Sequence, residues 1–251
     1  QHSEFQSSLQ QLSAAGKTIQ IDPHTASDWI FQSLGGDANV VEQEDPCILA
    51  KAIKNNVELS GTRAAHLRDG LALTKFLHWM AKNAGQGTVT ELDAATVLEE
   101  FRSCGKNFRG LSFPTITGTG PNGAIVHYRA DPESNRTIKP GDLYLVDSGA
   151  QYLDGTTDVT RTITVGKPSG EMRDRFTRVL KGHIAIATAR FPSGTSGGQL
   201  DALARHSLWE AGIDFEHGTG HGVGSFLSVH EGPQRISKNL GSSALRPGMI
   251  I

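Results

Sequence analysis

The spacing of apolar residues changes period three times between residues 57 and 229, and that succession restricts the fold more than any other property of the chain. From about Val57 to Lys82, the residues Leu73, Phe76, Leu77 and Met80 fall at i, i+3, i+4 and i+7, one stripe of an amphipathic helix. A second helix is expected to open at Thr90, where Asp93 completes a capping box, and to carry Ala94, Val97, Leu98 and Phe101 to an end near Gly105. The period then drops to that of strands and hairpins, in β-branched runs broken by glycine at 115–117, 124–128, 143–146 and 159–165. Helices return over 169–190, with Met172, Phe176, Val179, Leu180 and His183 on one face, and over 196–211, capped by Ser196 and stopped by Gly212. A last strand-like block runs from Phe215 to Val229. Helices, strands, helices, strands argue for an α+β fold with helices packed on one face of a mainly antiparallel sheet, in two related halves.

Residues 1–45 mix short β-like runs such as Thr18-Ile19-Gln20-Ile21 with Ser, Gly and Asp, and end in the polar stretch Val41 to Pro46. A domain boundary is expected there, giving a segment 1–45 and a main domain 46–251. With 251 residues the chain can bury a core without disulfide or structural metal. Its two cysteines, Cys47 and Cys104, form no CxxC pair, which suits a reducing compartment. A formal charge of −2 gives no reason to expect nucleic acid or an anionic membrane as partner. No apolar run reaches the roughly 18 residues of a membrane span. The chain begins without Met and stops in Met249-Ile250-Ile251, an apolar run after a Pro-Gly turn that ends as though inside a strand, so both ends read as cut.

Three motifs look chemical and are read as structural. Gly118 to Gly123 matches GxGxxG, but Ile125 and Val126 follow where a dinucleotide site needs a helix, so a glycine-rich hairpin turn is expected. Gly194-Thr195-Ser196-Gly197-Gly198 matches GxSxG without a strand before it, which makes Ser196 a helix cap. Asn135-Arg136-Thr137 is a glycosylation acceptor pattern that matters only in a secreted chain.

Asp147 and Asp158 stand in consecutive expected strands, and an aspartate among apolar strand residues is costly to bury without a cation. If the hairpin turns on Asp154-Gly155, the two carboxylates share a face but lie four residues apart, roughly 13 Å at 3.3 Å per residue. If it turns on Tyr152-Leu153 they become cross-strand partners, with Cβ atoms about 5 Å apart, which is the register a two-metal site needs. The third element is His217-Gly218-Thr219-Gly220-His221-Gly222-Val223-Gly224, followed by His230. Alternating glycines exclude a helix there, and an extended chain would put His217 and His221 on one face. Three histidines within fourteen residues, with His127 in another expected strand and two aspartates upstream, point to a metal centre rather than to structural histidines.

The stretches Gly120 to Tyr128, Asp147 to Tyr152, Asp154 to Thr162 (DGTTDVTRT) and His217 to Pro233 (HGTGHGVGSFLSVHEGP) resemble the pita-bread metallopeptidases, and among them the cytosolic, three-domain aminopeptidase P type. The likeness covers nearly the whole chain, with residues 1–45 similar to the tail of that family's middle domain. It implies a pita-bread fold, a curved antiparallel sheet under helices in two related halves, lacking its last strands here. It further implies that Asp147 chelates one metal, Asp158 bridges two and His221 binds the second, with His127, His217 and His230 outside the ligand set, holding substrate and the tetrahedral intermediate. Carboxylate-rich ligation favours Mn²⁺, with Co²⁺ or Zn²⁺ as substitutes.

The implied reaction removes the N-terminal residue from peptides with proline at position two, in the cytoplasm, in a protein that could be a homo-oligomer. The resemblance also implies two glutamate ligands beyond Ile251, so the 251-residue chain by itself is expected to be inactive. Prolidase, which accepts only dipeptides, is the nearest alternative. Methionine aminopeptidase fits less well, given His217, the TTDVTRT run and the preceding partial domain. A non-catalytic pita-bread module that binds peptides, histones or RNA would be expected to have lost the metal ligands.

Overall fold

The computed structural model describes residues 2–239 and 243–251, which separate into two units, Gln1–Lys51 and Ala52–Ile251. In the first unit, helix α1 (His2–Ala14) and helix α2 (Asp28–Leu34) accompany a parallel strand pair, β1 (Ile19–Ile21) with β2 (Val40–Glu42). Leu9, Ile21 and Leu34 form its core, with Trp29, Ile30 and Phe31 packed against them. The β-like run at 18–21 is a strand as expected, whereas neither helix was legible from spacing. Helix α1 buries only Leu9, too sparse a stripe to register as a period. Helix α3 (Cys47–Ala52) ends at the junction of the units.

The second unit opens on the long helix α4 (Asn56–Asn83), started by a capping box in which the Asn55 side chain accepts from the Val57 and Glu58 amides. Helix α5 (Glu91–Ser103) starts at Thr90 with the expected box to Asp93. Leu73, Phe76 and Met80 of α4 and Ala94 and Leu98 of α5 are buried, and they meet Tyr144 and Val146 from the sheet. Burying side chains of this size contributes roughly 1.5–3 kcal/mol each, which fastens both helices to one sheet face.

Strands β3 (Phe108–Leu111), β4 (Ile116–Thr119), β5 (Leu143–Ser148), β6 (Ala150–Tyr152), β7 (Gly155–Thr156) and β8 (Val159–Thr164) follow. They make two antiparallel three-stranded sheets, in the orders β4-β5-β8 and β3-β6-β7. Along β5 burial alternates strictly: Tyr144, Val146 and Ser148 are buried, while Leu143, Leu145 and Asp147 are only half-buried on the other face. Asp147 thus projects away from the helix-covered core. Helix α4 lies hard against the hairpin tip, where a Cβ on Gly61 would sit 2.2 Å from the Asp154 carbonyl oxygen and one on Gly155 2.9 Å from the Ala65 Cβ.

Helices α6 (Gly170–Ala187) and α7 (Gly197–Trp209) come next, followed by the short antiparallel pair β9 (Gly220–His221) and β10 (Arg235–Ile236). Gly182 of α6 packs so closely on α7 that a Cβ there would meet the Ala204 carbonyl oxygen at 2.1 Å. That contact turns the glycine side of α6 inward. Phe176, Val179 and Leu180 share a face of α6 with Ile184, as helical spacing requires, and the four are 44–56% exposed.

Three further expectations change. Residues 124–128 form no strand, because Gly120–Ala124 is a 3-10 helix in place of the expected hairpin turn. A Cβ on Gly118 would stand 2.7 Å from the Gly123 nitrogen, so the glycines serve a tight fold-back of the chain. Within 215–229 only Gly220–His221 is strand, since the backbone there bonds to loop partners, as Gly224 N–H does to the Ser228 carbonyl at 2.7 Å. Met249 to Ile251 form no strand, though the Ile250 carbonyl accepts the Val223 N–H at 3.2 Å.

Candidate metal centre

The hairpin register differs from both alternatives open in the sequence. Asp147 pairs with Thr160, Ser148 with Val159 and Tyr152 with Gly155, which places a two-residue turn on Leu153 and Asp154. Asp158 lies two residues before Thr160, so it shares the face of Asp147 as a diagonal neighbour, a separation that side chains span. In this register Gly155 stands opposite Tyr152, with α4 packed on the tip at Gly61 and Gly155 too closely for a side chain at either position.

Asp158 meets the second histidine-bearing segment directly. Its Oδ2 is 3.1 Å from His221 Nε2, and the His221 and His230 rings stand edge to face with centroids 4.2 Å apart. One donor atom from each of Asp158, His221 and His230 lies within 4.8 Å of the others. His230, expected outside the ligand set, therefore stands within this cluster. Burial raises the Asp147 carboxyl above its ordinary range; the Thr160 hydroxyl, donating at 2.7 Å, opposes this, and the Asp158 charge adds to it. The Asp158 carboxylate raises His221, whereas burial and the neighbouring His221 lower His230. Two carboxylates crowded beside a neutral-leaning imidazole are a donor set that suits a divalent cation.

His221 is placed by backbone geometry. It pairs with Arg235 across β9 and β10, and the Gly222 carbonyl receives its Nδ1 at 3.0 Å, directing Nε2 toward Asp158. A Cβ on Gly222 would meet the Glu231 carbonyl oxygen at 2.0 Å, so only glycine lets the His221 and His230 segments close on each other. Upstream, the buried Arg205 of α7 bonds Asp201, Asp214 and the carbonyls of Phe215 and His217. This holds 214–217 in a loop rather than a strand. His217 is exposed with its ring against Phe215, centroids 4.7 Å apart, and among the described residues it is not in the cluster.

His127 is exposed at φ 57°, in the left-handed region. It sits in a loop pinned by Glu91, a fully buried carboxylate that accepts from the Thr119 and Arg136 amides, the Asn122 side chain and the Tyr128 hydroxyl. His127 lies within electrostatic reach of Asp147, whose carboxyl is nonetheless raised by burial. Glu91 escaped the sequence reading because beside the Thr90 cap it looks like any first-turn acid. The buried pair of Arg102 with Asp69, at 2.8 and 2.9 Å, was missed for a similar reason, since one helix face carries each partner. Tyr152 donates to the same Asp69 at 3.0 Å and joins the hairpin to both helices.

An α+β scaffold that converges aspartates and histidines from two distant segments has the donor arrangement of a metalloenzyme centre. The model of metallopeptidase family M24 matches residues 60–251, and that of the creatinase/prolidase N-terminal domain matches residues 1–58. The chain belongs to metallopeptidase family M24 and has its pita-bread fold. It is 47% identical over 257 residues to a probable Xaa-Pro aminopeptidase P of Laccaria bicolor, covering 98% of this chain and 40% of that protein. Aminopeptidase P1 of Lotus japonicus is 45% identical over 255 residues, covering 93% and 39%. The crystal structure of an X-prolyl aminopeptidase from Caenorhabditis elegans, described as a cytosolic enzyme with a di-nuclear active site, superposes with a TM-score of 0.86 at 39% identity, covering 98% and 40%. Prolidase from Pyrococcus furiosus gives 0.81 at 27% identity, covering 98% and 69%. The chain spans about 40% of the length of the curated relatives first matched.

Proposed function

We propose that this chain forms the greater part of the active site of a metal-dependent Xaa-Pro aminopeptidase, with Asp147, Asp158 and His221 holding two divalent ions. The observation that carries the reading is the Asp158 to His221 contact beside Asp147, in a chain 45–47% identical to aminopeptidases P along nearly its whole length. Mn²⁺ is the proposed metal, because carboxylate oxygens are hard donors. When bound, such a pair supplies a Lewis acid for the scissile carbonyl and acidifies a water.

The chain's own residues do the rest. Asp158 contacts His221 and bears on Asp147, so among the described residues it is the side chain placed to serve both ions. His230, held toward its neutral form, can accept a proton or hydrogen-bond the reacting carbonyl beside the cluster. His127, in the Glu91-pinned loop, and His217 are the further histidines assigned to hold the peptide backbone. The substrate class is peptides beginning Xaa-Pro. A cytoplasmic location is proposed from the cytosolic relative, and among the described residues no helix is long and apolar enough to cross a membrane.

Prolidases share the fold at 27% identity, well below the aminopeptidases P, and the two activities separate by substrate. In a protein of the relatives' length that carries this chain, with Mn²⁺ supplied, Xaa-Pro-Xaa tripeptides should be cleaved in preference to Xaa-Pro dipeptides. Cleavage of dipeptides alone would replace this reading with the prolidase one. The 251-residue chain should bind at most one Mn²⁺, weakly, because Asp147 and Asp158 offset only two of four positive charges. Calorimetry showing two tight sites in this chain would contradict that ligand count.

A further inference from the structure

Gln151 joins the hairpin that carries the aspartates to the loop between the two clustered histidines. Its Nε2 donates to the Leu227 carbonyl at 2.7 Å, and its Oε1 accepts the Leu227 N–H at 2.9 Å. The Thr156 hydroxyl donates to the same Oε1 at 2.6 Å. With an N–H and an O–H both aimed at one amide atom, and a carbonyl at the other, only this orientation of the amide satisfies every partner.

We propose that Gln151 is a positioning residue that sets the separation between Asp158 and the His221 and His230 pair. The proposal rests on the metal-centre reading above and extends it to a residue that touches no donor atom. Gln151 is 7% exposed and pairs across the hairpin with Thr156, two residues before Asp158. Its target loop closes on itself, Gly224 N–H to the Ser228 carbonyl at 2.7 Å, between His221 and His230. Leu227 holds φ 71°, a conformation unusual for a branched side chain, so something outside the residue must hold it there. Its side chain is 65% exposed and anchors nothing; the anchor is the backbone, gripped on both its polar groups by Gln151. Because the amide is buried, losing it leaves a peptide N–H and C=O to find new partners, which favours displacement of the loop and of the histidines at its ends.

The test uses the 251-residue chain with Gln151→Ala and Thr156→Val, the second removing only the hydroxyl that orients the amide. Metal-free amide exchange over 224–231 should accelerate about tenfold or more in Gln151→Ala, while exchange over Glu91–Ser103 stays unchanged. Mn²⁺ affinity, read by calorimetry, should fall on the order of 10- to 100-fold, as for other groups that orient ligands. Thr156→Val should move both readouts the same way by less, and it decides the matter if Gln151→Ala does not fold. Unchanged exchange at 224–231, or faster exchange with unchanged Mn²⁺ affinity, overturns the proposal. If the unsubstituted chain binds Mn²⁺ too weakly to measure, the affinities of both variants are read in a protein of the relatives' length; no binding there ends the metal reading, while the metal-free exchange still judges whether Gln151 holds the loop.

Discussion

Asp158 Oδ2 lies 3.1 Å from His221 Nε2, a contact between residues far apart in the sequence within the region that the M24 model matches. Asp158 also bears on Asp147, raising its carboxyl, so one side chain links all the proposed ligands. Asp158→Asn should therefore abolish Mn²⁺ binding to the chain, and cut turnover by on the order of 100-fold or more in a protein of the relatives' length, since even groups that only orient ligands cost 10–100-fold. Calorimetry and peptide hydrolysis check this; retained activity with two bound metals would remove Asp158 from the bridging role.

His221 and His230 stand edge to face at 4.2 Å yet are assigned different tasks, and substitution separates them. His221→Ala should lose metal. His230→Ala should keep it and lower kcat by on the order of 10²-fold, the usual loss for a proton-transfer or oxyanion group. His127→Ala should resemble His230→Ala. Metal content measured after dialysis decides; loss of metal from His230→Ala would make His230 a ligand.

Gly222 lies where a Cβ would approach the Glu231 carbonyl oxygen at 2.0 Å and the Gln234 amide nitrogen at 2.6 Å. Gly222→Ala must push apart the two segments that bring His221 and His230 together, at a cost of about 1–3 kcal/mol. Urea unfolding measures it. An unchanged midpoint would mean that the segments separate freely.

Acid stability offers a test away from the metal ligands. The Arg205 guanidinium, donating at 2.9 Å, holds the Asp214 carboxyl far below the usual carboxylate range, with the Phe215 amide and Lys238 assisting. With the folded pKa below the unfolded value of about 3.9, the unfolded chain takes up the proton first as pH falls. The contribution is thus complete above about pH 5 and shrinks below it. Asp214→Asn should lower the urea midpoint at pH 7 and converge on the unsubstituted chain toward pH 2. A gap that stays constant over that range would show that Asp214 contributes nothing through its charge.

The sequence by itself determined the order of the main helices and strands from α4 to α7, the Thr90 and Ser196 helix starts, and which carboxylates and imidazoles were available, because each is written in local spacing or residue type. Thr90 needs only Asp93 three residues on, and Leu73, Phe76 and Met80 need only their own helix to declare a face. The tertiary structure decided the rest. Hairpin register was left open by local spacing; in the fold, with α4 packed on the tip at Gly61 and Gly155, the turn falls on Leu153 and Asp154 and Asp147 and Asp158 are diagonal neighbours. The close packing of α6 on α7 is set at Gly182, where a Cβ would meet the Ala204 carbonyl oxygen at 2.1 Å, a contact that a hydrophobic period cannot anticipate. Gln151 and Glu91 are ordinary polar residues in their own segments, and they acquire a task only where the fold delivers Leu227 and the 119–136 loop to them.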